Sequence, residues 1–428
     1  MKQQYTFRKF IYDIHLWLGL PSAIVLLIMC LTGTIYVFQK DITQWVDKDK
    51  FKIQVQAGAK MLPVNQLAKA VAKEKNGKVT LIQVPQNADE AWTFTVLPKK
   101  DKKAEKANDD KKVAKTSKGK AENEKVAPKQ EKTKSYLVNP YTGVIQGDAQ
   151  TPTAEFFATA LKLHRWLLIE NHDIGGGITG VACIMMIFLQ ITGLMLWAPT
   201  KIKNWGKFSA WKQGFKIKTD AKFKRINFDM HKALGFYAFI FVTIMALTGP
   251  YFAFTWYKNA FAQTLTGKKP SPKETAEQSV YINADTKPLA FEKILDKVNT
   301  IYPYQGTTRI TLPKDSLGTV NVLKYKSGFL TSAGLDRVIL DQYSGKVIVL
   351  NSFAQKSLGE KIVSSAKLIH TGELFGTFSK ILYFIACLIA TSLPVTGFLI
   401  WWGRNGYGSK KKTKTLITNK SMKEVISS

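Results

Sequence analysis

The chain has 428 residues, 45% of them hydrophobic, and a formal net charge of +31. In a soluble protein that charge would point to nucleic acid. Here the basic residues crowd the ends of long apolar runs, which makes membrane lipid headgroups the partner and sets nucleic acid aside. The three cysteines, Cys30, Cys183 and Cys387, each fall inside an apolar run, so no disulfide framework is implied and they read as packing residues.

The expected fold class is membrane α-helical, because crossing about 30 Å of hydrocarbon takes roughly 20 mainly apolar residues and residues 16–38, 178–197, 234–254 and 381–402 each supply such a run without a charge. Taken in order, residues 1–40 hold the N-terminus and the first span, which is too long for a cleaved signal peptide and reads as an uncleaved anchor. Residues 41–153 form a first extramembrane module. It contains a helix over 64–75, strands over 79–84 and 92–97, and a hairpin around Asn139-Pro140-Tyr141-Thr142-Gly143. Residues 99–134 interrupt it with 14 Lys and 7 Asp/Glu, too polar to order themselves, and are expected to be a disordered insertion. Residues 154–198 give an amphipathic helix (154–168), a bend at Gly175-Gly176-Gly177, and the second span. A basic loop (199–230) leads to the third span (231–256). A second module (257–355) contains a helix over 291–301 and a hairpin around Asp341-Gln342-Tyr343-Ser344-Gly345. Residues 356–403 supply another amphipathic helix (356–369) and the fourth span, and 404–428 a basic tail. The positive-inside rule puts the 199–230 loop and both termini in the cytoplasm and the modules outside.

The spans repeat. His15-x-x-x-Gly19 is followed by Thr32-Gly33, and His231-x-x-x-Gly235 by Thr248-Gly249, with 17 residues from His to Thr in both. Leu163-His164 precedes Thr192-Gly193 and Trp197, and Ile369-His370 precedes Thr396-Gly397 and Trp401-Trp402, with spacings of 28 and 26. The sequence therefore reads as two helix–domain–helix units, each carrying one histidine toward either face of the membrane. Four of the five histidines occupy these places.

Residues four apart on a helix share a face, so Gly19 and Gly235 would leave room for a flat group beside His15 and His231. Two imidazoles on facing helices suit a b-type haem, and His164 with His370 would hold a second one. Arg8, Arg165 and Lys232 are candidate partners for the propionates. Zinc or copper also accept imidazole, but a single cage would need all four histidines in one place. His172 has no counterpart in the second half and reads as surface or substrate-facing. The Thr-Gly pairs read as close-packing points, each Thr hydroxyl bonded back to its own helix. Motifs of hydrolases and P-loop proteins do not occur, and no flavin or nicotinamide fingerprint is found.

These motifs, with Leu163-His164-Arg165-Trp166-Leu167-Leu168, Trp197-Ala198-Pro199 and the two hairpin turns, resemble the PepSY-associated transmembrane-helix family, often described as iron-regulated membrane proteins. The resemblance covers nearly the whole chain apart from the lysine-rich insertion. It implies two extracytoplasmic α+β PepSY-like modules. It also implies a ferric-siderophore reductase of the bacterial inner membrane, with its modules in the periplasm and b-type haems held by His15, His231, His164 and His370, fed by a quinol or a cytoplasmic reductase. The aromatics Trp92, Tyr141, Tyr302 and Tyr304 are candidates for a docking surface. A regulatory, peptidase-binding protein and a metal-chelate transporter are the alternative functions.

Overall fold

The computed structural model describes residues 5–99, 133–269, 278–280, 287–326 and 334–404. The lysine-rich insertion, apart from its outermost residues, and the basic tail after Arg404 lie outside the described residues. Four helices are long and apolar enough to cross a membrane: α1 (Phe7–Tyr36), α6 (His172–Trp197), α8 (Phe223–Ala253) and α13 (Gly376–Arg404). All four begin before the apolar runs, α1 nine residues ahead of position 16 and α8 eleven ahead of position 234. Apolar runs mark the hydrocarbon, whereas the helical hydrogen-bond ladder continues through the headgroup layer, where the backbone gains equally from staying paired.

The bundle closes on small side chains. Ala182, Ala238, Ala246, Ala386 and Ala390 are buried at its centre with Leu26, Met29, Met186 and Val242, and Cys30 and Cys183 pack against them. Small residues let helix backbones approach closely in lipid, where no hydrophobic force drives helices together. Gly249 is one such point: a Cβ there would lie 2.6 Å from Cys183 Sγ. Large apolar side chains such as Trp17, Ile24 and Ile240 instead point outward, as a lipid-facing surface requires.

Between α1 and α6 the chain builds α2 (Gln39–Val46), α3 (Lys48–Phe51), α4 (Val64–Glu74), β1 (Gly77–Val84), β2 (Trp92–Pro98), β3 (Lys134–Val138), β4 (Ile145–Asp148) and α5 (Pro152–Trp166). The short link from α6 to α8 holds α7 (Phe208–Phe215), pinned where Trp197 donates to the Gly214 carbonyl and stacks on Phe236. After α8 come α9 (Thr255–Thr266), α10 (Phe291–Ile301), β5 (Thr307–Thr311), β6 (Thr319–Tyr325), β7 (Leu335–Asp341), β8 (Val347–Asn351), α11 (Leu358–Ser364) and α12 (Ala366–Thr371).

The eight strands form one antiparallel sheet, in the order β4-β3-β2-β1-β5-β6-β7-β8. The two modules expected at 41–153 and 257–355 are thus joined along β1 and β5, with Ile82 opposite Ile310. Alternate strand residues point to one face. There Phe94, Val96, Val138 and Ile82 bury against Leu67 and Val71 of α4, and Val320, Val322, Val338 and Leu340 against Ile294 and Val298 of α10. The two helices meet where Asn65 donates to Glu292.

Both hairpins use one turn device. Asn139 Oδ1 accepts from Tyr141 N and Thr142 N, and Asp341 Oδ1 accepts from Tyr343 N and Ser344 N. Gly143 and Gly345 then adopt positive φ, which costs glycine least.

Three expectations need correction. Trp92 and Tyr302 are 5% and 6% exposed and belong to the sheet cores, so neither lines a docking surface. Gly175, Gly176 and Gly177 lie inside α6 and make no bend. The chain reverses at Leu167 and Leu168, both at positive φ. The glycines serve close approach, because a Cβ on Gly175 would sit 2.4 Å from the Trp166 carbonyl oxygen. The amphipathic helix expected over 356–369 is broken at Ser365, giving α11, started by a Ser357–Glu360 capping box, and α12.

Candidate functional site: two imidazole pairs

His15 and His231 each lie eight residues into their helices, α1 and α8. Their ring centroids are 6.4 Å apart. His164 near the end of α5 and His370 near the end of α12 face each other at 6.2 Å. The second pair sits at the sheet end of the bundle, since His164 bonds to Met29 and Thr32 of α1. Thr32 is 17 residues beyond His15, which at helical rise is about 25 Å. The two pairs therefore stand toward opposite ends of the bundle.

Every one of these rings is oriented through Nδ1. His15 meets Thr192 Oγ1 at 2.9 Å, His231 meets Thr396 Oγ1 at 2.8 Å and His370 meets Thr248 Oγ1 at 2.8 Å. His164 meets the Met29 carbonyl at 2.8 Å and Thr32 Oγ1 at 3.4 Å. The direction of these bonds follows from the threonines. Thr192, Thr396 and Thr248 each donate their only hydroxyl proton to the carbonyl four residues back, on Phe188, Ser392 and Ile244. Their Oγ1 atoms can then only accept, so Nδ1 carries the proton and donates. A carbonyl leaves His164 the same single role. In a neutral imidazole the lone pair is then on Nε2 at all four rings, the nitrogen free to bind a metal.

The glycines after Thr192, Thr396 and Thr32 make room for an imidazole, whereas Gly249 after Thr248 packs against Cys183. A Cβ on Gly193 would lie 3.4 Å from His15 Cε1, on Gly397 3.3 Å from His231 Cε1, and on Gly33 3.3 Å from His164 Cε1. The bonds cross within each half of the chain: α1 takes a partner from α6 and gives one to α5, and α8 does so with α13 and α12. Sequence reading identified the threonines as bonded back to their own helices, which they are, but not as acceptors for the histidines. The signal was that a Thr-Gly pair accompanies a histidine in all four spans.

The remaining candidates are placed as follows. Gly19 and Gly235 face Leu189 and Leu393, whose methyl groups occupy the space beside them. Arg8 donates to the Leu196 and Ala198 carbonyls, closing the end of α6. Lys232 has Arg8, Arg225 and Asp229 as its charged neighbours. The Arg165 guanidinium lies 4.4 Å over the Trp166 ring, and exposed His172 stacks on that same ring at 4.0 Å.

A metal atom between two imidazoles needs about 2 Å to each nitrogen, which with the rings' own radius sets their centroids about 6 Å apart; both pairs have this separation. Among the described residues no group of three or more His, Cys, Asp or Glu side chains converges on one point. Each pair thus offers two ligands. That suits a metal whose other ligands come from a macrocycle, and falls short of the four that a structural zinc site takes.

Four membrane-crossing helices carrying an antiparallel sheet domain, with two histidine pairs inside the bundle, define a multi-span membrane protein. The chain belongs to the family described as the PepSY-associated TM region, whose model matches residues 12–404. No curated protein matches it.

Proposed function

We propose that this protein is an inner-membrane di-haem b oxidoreductase. It would pass electrons from the cytoplasmic side or the quinol pool to a ferric siderophore or similar ferric chelate outside, releasing Fe(II). The observation that carries the reading is the pair of imidazole couples, 6.4 and 6.2 Å apart, each ring donating through Nδ1. Ligating histidines that donate their second nitrogen to a fixed acceptor are oriented and made more basic.

When bound, haem supplies reversible one-electron chemistry at a potential set by its axial ligands and their hydrogen bonds. His15 and His231 would hold one group and His164 and His370 the other. Thr192, Thr396, Thr248 and the Met29 carbonyl would fix the ring tautomers. The crossed bonds and the position of each pair support reading the two halves as repeats of one helix–domain–helix unit. Basic residues concentrated in 199–230 and near both ends of the chain support an orientation with the His15–His231 end toward the cytoplasm and the sheet toward the periplasm. One electron delivered at the sheet end reduces Fe(III) to Fe(II), which hard oxygen donors hold more weakly.

A visible spectrum of purified full-length protein tests the cofactor. A Soret band is expected, reduced by His15→Ala and by His370→Ala and lost in the combined variant. Colourless protein made with ample haem would overturn the reading. Anaerobically reduced protein mixed with a ferric siderophore is expected to reoxidise; persistent reduced bands would refute the reaction while leaving the haem assignment standing.

A further inference from the structure

A cleft of about 360 Å³ opens between the first turns of α8 and the last turns of α13, at the end of the bundle away from the sheet. Its apolar wall is Phe228, Leu399 and Ile400, and its floor includes Asn227, which is 6% exposed. Lys224 and Arg404 flank the mouth. Lys224 Nζ donates to the Gly403 carbonyl, next to Arg404, and Arg404 lies over the Tyr12 ring. Arg225 also borders the cleft, but its charge is met by buried Asp229 at 2.8 Å. Among the described residues no carboxylate pairs with Lys224 or Arg404.

We propose that this cleft is a binding site for an anionic phospholipid. The phosphodiester would sit between Lys224 and Arg404, and an acyl chain against Phe228, Leu399 and Ile400. A basic pocket between membrane helices, with apolar walls continuing into the hydrocarbon, has the chemistry of such a headgroup. Charge argues against the chain's own tail as the occupant, since residues 405–428 carry six Lys against the single Glu424. Zwitterionic lipid offers the same phosphate but adds an ammonium to a mouth that already holds two cations. The floor also reaches the first imidazole pair. Asn227 donates to the Thr396 carbonyl, and Thr396 Oγ1 accepts from His231, so an occupant lies two hydrogen bonds from that ring.

The test does not depend on haem. Full-length protein, delipidated in detergent, is titrated with phosphatidylglycerol or phosphatidylcholine and bound lipid is counted by native mass spectrometry. Phosphatidylglycerol is expected to bind about tenfold more tightly or better, given two basic contacts. The combined variant Lys224→Gln/Arg404→Gln should lose that preference, while Lys224→Arg/Arg404→Lys retains it and shows that charge rather than folding is read. Lys203→Gln/Lys212→Gln, in the basic loop outside the cleft, should leave it unchanged. Equal binding of the two lipids, or equal loss in the loop variant, would overturn the site. Displacement of phosphatidylglycerol by millimolar inorganic phosphate would identify a free-anion site instead.

Discussion

The Thr396 hydroxyl accepts from His231 Nδ1 while donating along its own helix. Replacing it by the near-isosteric valine keeps the packing and removes the acceptor. Ligand histidines that lose such a partner typically cost 10–100-fold in metal affinity. Under the proposed di-haem reading, Thr396→Val is therefore expected to weaken haem binding at the His15–His231 pair by roughly that factor in a titration of haem-free protein, and Thr396→Ser to restore it. At the sheet, burial alone would raise the Asp341 carboxyl, but hydrogen bonds from Ser344 and Tyr343 and from Val280 N outweigh it and hold the carboxyl below its ordinary range. A carboxyl depressed in the folded state adds stability above its unfolded pKa of about 3.9, and that stability is lost as pH falls through the lower folded value. Thermal unfolding of the wild type should therefore weaken below about pH 4. Asp341→Asn should flatten that acid slope and cost about 1–2 kcal/mol at pH 7. An unchanged acid slope would show that other carboxylates set it.

At the scale of elements, close approach between helices governs the bundle. One such contact lies between α6 and α8, where Gly249 faces Cys183. Gly249→Ala would press a methyl group into Cys183 Sγ, and overpacking of this kind costs about 1–3 kcal/mol. Cys183→Ala removes the obstructing atom, so the double variant should recover most of the loss in thermal unfolding, with a coupling of about 1–2 kcal/mol. Additive losses would mean that the helices adjust elsewhere.

Helices such as α10 and strands such as β6 were legible because their apolar periods of 3.6 and 2 reflect one buried face. The histidine positions were legible through the equal His–Thr spacing of the two halves. The reversal before α6 was not, because Leu167 and Leu168 carry no turn signature and nearby glycines offered a better one. The broken helix at Ser365 escaped because the apolar pattern runs on through it. The roles of Gly193, Gly33 and Gly397 beside the imidazoles were hidden because they depend on which helices become neighbours.

At the scale of the whole molecule, the two halves share more than a bundle. Strand β1 pairs with β5, so both extramembrane segments form one sheet. Lys380 near the start of α13 pairs with Asp41 of α2 in the other half, which ties the bundle together just below it. A sheet built from both halves must lie wholly on one side of the membrane, and a single orientation decides where each imidazole pair stands. That orientation can be read with cysteine labelling, because Cys30, Cys183 and Cys387 all lie within the spans, packed into the bundle, and should react little with a membrane-impermeant maleimide. Ile348→Cys places an accessible thiol on the edge strand β8, and Lys203→Cys places one on the link between α6 and α8, since both positions are exposed. In intact spheroplasts Ile348→Cys is expected to label fully and Lys203→Cys only after permeabilisation. The reverse pattern would put the His164–His370 pair on the cytoplasmic side. The proposed electron path would then end inside the cell, where an extracytoplasmic ferric chelate could not receive it.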